Sequence, residues 1–175
     1  SNNAGSYFHF DDTQLQYGLS PNLGDLFQWT IEVWWRTSID LSTIGLTSLV
    51  TTIFDDVYAP THPSTSNINF CFTNYNGAGA SINNIRSGFF NGQWHLNTGF
   101  TPNLNTWYQS VGTYDGVTMS QYTNGVLIDS QVINQTSIAN GGDIRIARRW
   151  DAGEISAYYF LGDIAIIRIY SKALN

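Results

Sequence analysis

Between Phe27 and Arg36 the sequence FQWTIEVWWR puts an apolar residue at every odd position and, with one exception, a polar residue at every even one. A period of two is that of a β-strand with one face in the core, because successive side chains of an extended chain leave opposite sides. Phe27, Trp29, Ile31, Val33 and Trp35 are therefore expected inside, with Gln28, Thr30, Glu32 and Arg36 outside. Trp34 breaks the rule and marks an outer face that is partly covered or floors a groove.

The stretch WYQSVGTYDGVTMSQYTNGVLI, Trp107 to Ile128, holds Asp115-Gly116 and Asn124-Gly125. Both dipeptides tolerate positive φ and favour the tight primed turns of antiparallel hairpins. They divide the segment into strands Trp107 to Tyr114, Val117 to Thr123 and Val126 to Gln131, a three-strand meander. Gln121 and Thr123 stand where inward residues are expected, which implies a buried face with polar edges.

Further strands are expected over Ser6 to Phe10, Ser48 to Phe54, Ile68 to Thr73, Phe89 to Leu96, Asp143 to Ala147 and Ile164 to Tyr170. Turn-rich links such as Ser20-Pro21-Asn22-Leu23-Gly24, Asn76-Gly77-Ala78-Gly79 and Asn140-Gly141-Gly142 separate them. Leu41 to Leu46 has room for one helical turn, and no longer helical period appears. Asp55 to Asn67, DDVYAPTHPSTSN, reads as an exposed loop. Many short strands between turns imply an all-β fold of two packed antiparallel sheets, in one domain over residues 1–175.

Composition narrows the classes. With 42% hydrophobic, 15% aromatic and 11% charged residues, the chain has ample core material and owes its polar surface to uncharged side chains. A formal net charge of -6 opposes binding to nucleic acid, which depends on clustered Lys and Arg. Arg145, Arg148 and Arg149 read as a solvated strand end. No apolar run approaches the roughly 18 residues of a membrane span. The single cysteine, Cys71, forms no internal disulfide and reads as a buried thiol. The chain opens at Ser1 without a basic-then-apolar leader, which reads as a processed chain or an excised fragment.

The N-terminal FHFDD and the segments WTIEVWWR, NTWYQSVGTYDGVTMSQYTNGVLI, GDIRIARRW and FLGDIAIIRIYSKALN, in this order, resemble the concanavalin A-like lectin/glucanase superfamily, specifically its laminin-G-like jelly-roll branch. The resemblance implies a two-sheet antiparallel β-sandwich, and low charge with high Asn, Thr and Ser content and a single Met suits an extracellular, cell-surface or virion-surface protein. It is weakest over Ser38 to Gly99. Ala165-Ile166 replaces the acidic pair that often follows Gly-Asp-Ile in relatives.

Glucanases in the superfamily make hydrolysis a class to test. A retaining glycosidase needs two carboxyl groups about 5 Å apart, as acids at alternate positions of one strand would provide. The only glutamates, Glu32 and Glu154, have no acid two residues on, and Asp11-Asp12 and Asp55-Asp56 are adjacent pairs. His9, His62 and His95 fall in no triad or zinc motif and read as structural or surface residues. The chain is therefore read as noncatalytic.

Sugar recognition combines an aromatic platform with amide, acid or basic groups for hydroxyls. The groupings of this type are Trp150-Asp151, Tyr75-Asn76 and Trp94-His95. Relatives often bind Ca²⁺ at the rim, and the oxygen donors suited to it are Asp151, Glu154, Asp55 and Asp56, with Asp11 and Asp12 as further candidates. The leading expectation is a lectin-like module binding a glycan or glycoprotein surface. The alternative is a structural or adhesion domain of a virion, phage fibre or cell-surface assembly, contacting other structural proteins of the same particle. Asn134-Gln135-Thr136 is a glycosylation sequon, usable in a secretory eukaryotic source or its virus.

Overall fold

A computed structural model describes residues 5–11, 18–20, 26–40, 50–56, 67–73, 84–90, 93–134, 144–147 and 160–174. These form strands β1 (Phe8–Phe10), β2 (Gly18–Ser20), β3 (Trp29–Arg36), β4 (Val50–Asp56), β5 (Asn67–Thr73), β6 (Asn84–Phe90), β7 (Trp94–Leu96), β8 (Tyr108–Tyr114), β9 (Thr118–Thr123), β10 (Val126–Val132), β11 (Ile144–Ile146) and β12 (Gly162–Tyr170). There is no helix among the described residues. The strands make two six-stranded sheets, ordered β1-β12-β3-β8-β9-β10 and β2-β11-β4-β5-β6-β7, with antiparallel pairing throughout. Inner residues of both sheets share one core, so this is the expected jelly-roll sandwich.

Strand β3 supplies the centre of that core. Trp29, Ile31, Val33 and Trp35 have no exposed surface, and Trp35 donates its indole Nε1 to Ser110 Oγ at 3.0 Å. Phe27 departs from the expected pattern and is 57% exposed. The β3–β8 ladder begins only at Trp29 opposite Tyr114, so Phe27 lies beyond the end of the layer it was expected to join.

The two glycine turns join consecutive strands of the first sheet, as expected. Asn124 (φ 49°) and Gly125 (φ 77°) form the two-residue primed turn between β9 and β10. The Asp115 turn is longer, with three residues between β8 and β9. Its geometry comes from Asp115 Oδ1, which accepts from Val117 N (2.8 Å) and Thr118 N (2.7 Å). Those amides hold the Asp115 carboxyl below the usual carboxylate range.

Other boundaries differ from expectation. The strand expected over Phe89 to Leu96 is two strands, since Phe90 pairs with Trp94 across the hairpin that Asn91-Gly92 favours. β2 carries no alternation and was not expected. Asp55 and Asp56, expected in a loop, end β4 because β11 offers them a ladder partner. The side chain of Cys71 on β5 and the segment Leu41 to Leu46 lie outside the described residues.

Gln121 and Thr123 are indeed inward and buried. Past Leu96 the chain still donates Asn97 N to Ser87 O and returns to Ile85 at Phe100, and between these points the Gln121 side chain pairs with the Ser87 amide and shares Ile85 O with Phe100 N. Its Oε1 accepts from Ser87 N at 2.8 Å and its Nε2 donates to Ile85 O at 3.0 Å. Asn97 Nδ2 donates to Ser87 Oγ at 3.0 Å, completing a polar seam between the sheets. Gly112 lies opposite Gln121, and any Cβ there would come within 2.5 Å of Ser87 Cβ, so glycine permits this close approach. Replacing Gln121 with near-isosteric Met strands the Ser87 amide. We expect a loss of about 1–3 kcal/mol in urea unfolding; unchanged stability would show that the seam contributes nothing.

Candidate functional site

The antiparallel registers of β1, β12 and β3 place His9 opposite Asp163 and Asp163 opposite Arg36, one residue from each of three strands in a single row. The row lies on the outer face, because its neighbours Ile164 and Trp35 point into the core. Asp163 is the hub. Its Oδ1 lies 2.6 Å from His9 Nδ1, and its Oδ2 accepts from Arg36 Nε. Its side chain is only 7% exposed, against 60% for His9 and 32% for Arg36.

Two aromatic rings complete the group. Arg36 Cζ lies 5.3 Å from the centre of the Tyr7 ring and 5.1 Å from that of Trp107, whose rings meet edge to face at 5.8 Å. The hydrogen bond to Asp163 raises the Arg36 pKa above its ordinary value, so this group is a permanent cation. The loop carrying Asn105 and Trp107 is docked onto the end of β3 by Asn105 N donating to Thr37 O at 2.7 Å. Thr37 Oγ1 in turn donates to Leu161 O at 2.8 Å. Gly162 (φ 151°) floors the site where a Cβ would collide with Arg36 O. Tyr7, His9, Arg36, Ser38, Asn105, Gly162 and Asp163 line a cavity of about 410 Å³, with Trp107 stacked on Arg36 beside it.

Along the same outer face of β3, Glu32 accepts from Trp34 Nε1 (2.9 Å) and Gln109 Nε2 (2.8 Å) through Oε1, and from Arg168 Nη1 (2.8 Å) through Oε2. Burial pushes the Glu32 carboxyl up, but the donors Arg168, Gln109 and Trp34 outweigh it and hold the group below its ordinary value.

Of the residues singled out from sequence, Trp150, Asp151, Glu154, Tyr75 and Asn76 lie outside the described residues. Trp94 and His95 are on β7, where the His95 ring packs against Phe89 with centres 5.0 Å apart. Asp55 and Asp56 end β4, and their side chains lie outside the described residues. Asp12 and His62 also lie outside the described residues. Among the described residues no group of three or more His, Cys, Asp or Glu gathers around a common point. Residues 148–159 are undescribed, but their flanks meet: Phe160 N donates to Ala147 O at 2.9 Å, two residues before Gly162 of the pocket.

Tyr7, Arg36, Trp107 and Asp163 were not singled out from sequence. Asp163 and its partners are 154 and 127 residues apart in the chain, so no local motif carries the signal. The acidic position in FLGDIAIIRIY and the polar alternation of β3 are the traces of it.

The family model described as the concanavalin A-like lectin/glucanases superfamily, Laminin_G_3, matches residues 4–175. The chain belongs to this family. A comparison with curated proteins gives no match. Among solved structures, this laminin G domain is similar to a Bacteroides ovatus ATCC 8483 protein proposed to bind carbohydrate, at 16% identity and TM-score 0.64, over 98% of the chain and 44% of that protein. It thus spans under half of that relative. It is also similar to domain 4 of the extracellular arabinanase AbnA from Geobacillus stearothermophilus, solved with arabinotriose (17% identity, TM-score 0.61, 99% of this chain and 79% of that one). A third is the Ruminococcus gnavus IT-sialidase CBM40 bound to α2,3-sialyllactose (12% identity, TM-score 0.64, 91% and 94%). At these identities the likeness is one of fold.

The Glu32 cluster of this laminin G domain makes a prediction about acid. A carboxyl whose pKa is depressed by folding stabilises the protein above its unfolded value, near 4.5, and that contribution fades as pH falls through the lower folded value. Stability of the wild type should therefore fall more steeply on acidification below about pH 5 than that of Glu32→Gln. Parallel melting curves across that range would refute it.

Proposed function

We propose that this chain is a single, noncatalytic carbohydrate-binding module and that the pocket lined by Tyr7, His9 and Arg36 is its binding site. The supporting observation is the pocket's make-up: the Tyr7 ring and a guanidinium held by Asp163 and Trp107, with His9, Asn105 and Ser38 around a cavity of about 410 Å³. Aromatic faces suit the apolar side of a sugar ring, and the polar groups suit its hydroxyls. The geometry is preorganised, since Arg36 is held by Asp163 and two rings before any ligand arrives.

The noncatalytic reading is supported by the acid present. Among the described residues lining the cavity Asp163 is the one carboxylate, and both its oxygens are engaged. Paired-carboxylate hydrolysis has no second partner among those residues. Three similar structures carry names that concern carbohydrate binding or a bound oligosaccharide, which supports the same class, and AbnA is extracellular, which supports an extracellular place.

A specific feature favours protein contact as the second reading. β10 is the outer strand of the first sheet, with Val126 (63%), Leu127 (52%) and Val132 (69%) exposed. On that reading the domain is a structural or adhesion part that docks other proteins of a cell surface or particle.

A glycan array, run in Ca²⁺ and again after chelation, separates these readings. Selective binding is expected, weakened at least about tenfold, or about 1.4 kcal/mol, by Tyr7→Ala in a protein shown to be folded. Trp150→Ala, run alongside, tests the residue marked by the sequence, and loss on chelation would assign a role to Ca²⁺. A blank array with folded protein would overturn the glycan reading in favour of protein contact.

A further inference from the structure

We propose that the glycan site continues out of the pocket along the outer face of β3 to Trp34, so that its ligand is an extended oligosaccharide and not a single terminal sugar. This rests on the glycan-binding reading of the pocket. Arg36, Trp34 and Glu32 alternate with the core residues Trp35 and Val33 and so stand in one line on one face. At roughly 3.3 Å of rise per residue, Trp34 lies about 7 Å from Arg36 along the strand and Glu32 about 13 Å. That is the spacing of neighbouring units in an extended chain, and the first position is already part of the pocket.

Trp34 is 36% exposed, an apolar ring set among polar neighbours. The core does not need it, for the inner face of β3 is filled without it. Its orientation is nonetheless fixed, because Nε1 donates to Glu32 Oε1, and Glu32 is gripped by Gln109 and Arg168 from the strands on either side. An exposed indole ordinarily loses rotamer freedom when a ligand stacks on it. Here that ordering precedes binding. Arg168, half exposed, and Gln109 flank the ring with hydrogen-bonding groups suited to hydroxyls.

The line has two ends. The pocket closes one. At the other, the C-terminal segment crosses the face, with Thr30 Oγ1 donating to Lys172 O at 2.9 Å and accepting from Leu174 N at 2.9 Å. The open stretch from Arg36 to Glu32 is therefore a bounded track. A single aromatic ring among charged and amide groups is too narrow and polar for the core of a protein interface, which favours a glycan chain as occupant.

Size-graded oligosaccharides, from monosaccharides to hexasaccharides of arabinan and of sialylated glycans on a broad array, test the proposal by titration. Wild-type affinity should rise at least about tenfold between single sugars and the longer chains. Trp34→Ala should remove that gain and leave affinity for the shortest ligand that binds unchanged, whereas Tyr7→Ala should weaken every length. Trp34→Phe, which keeps a ring but no donor, should retain part of the gain and guards against a folding defect in the alanine variant. Affinity independent of length, or Trp34→Ala and Trp34→Phe both matching wild type at every length, would overturn the track and leave the pocket standing. No binding at any length would overturn both.

Discussion

Register along β3 is the constraint on which the core and the pocket both depend. Its odd residues fill the sandwich, and its even residues carry the Glu32 cluster and Arg36. A slip of one residue would exchange the two sets, putting a carboxylate and a guanidinium inside and four apolar side chains in water. The cost of that exchange pins β3 against β8 and β12. Once β12 is pinned, Asp163 stands beside Arg36, and β1 then has only one pairing that brings His9 to the same carboxylate. The outer face thus inherits its precision from burial on the inner one.

The buried polar seam shows the same economy from the other side. Ser87, Gln121 and Asn97 occupy positions that an apolar reading of a sandwich core would fill with aliphatic residues. Their role follows from a defect in the second sheet: β7 ends at Leu96, and the backbone of β6 needs another partner before the chain returns at Phe100. A glutamine amide offers one acceptor and one donor in the spacing of a peptide group, so it substitutes for a missing strand residue. Gly112 makes the room for it. Unpaired backbone in the interior would be more costly than a polar side chain there.

Much of the fold was legible because its cause is local. Alternation in Trp29 to Trp35, the Asn124-Gly125 turn and the apolar run of β12 are each visible within a few residues. Phe27 misled because periodicity does not say where a neighbouring strand stops. Asp55 and Asp56 misled because strand ends depend on a partner, β11, that lies about ninety residues away in the chain. The site was less legible for the same reason. Trp34 stood out as an exception to its own pattern, but Tyr7, Arg36, Trp107 and Asp163 look ordinary in their local context and acquire meaning only from the order of strands. His9 read as an unremarkable histidine until β12 was placed beside it.

The hydrogen bond between Ala147 and Phe160 has a consequence for chain length. Both residues are buried, so the two ends of the intervening segment are fastened to the core and to each other. Closing a longer segment over such a base costs little, about 0.6 kcal/mol for each doubling of its length. The entropic cost of lengthening the chain between these two fixed ends is therefore small, and the second end falls two residues from Gly162, which lines the pocket. Length is the least constrained variable at this point of the sequence, beside a pocket wall whose place is set by strand register.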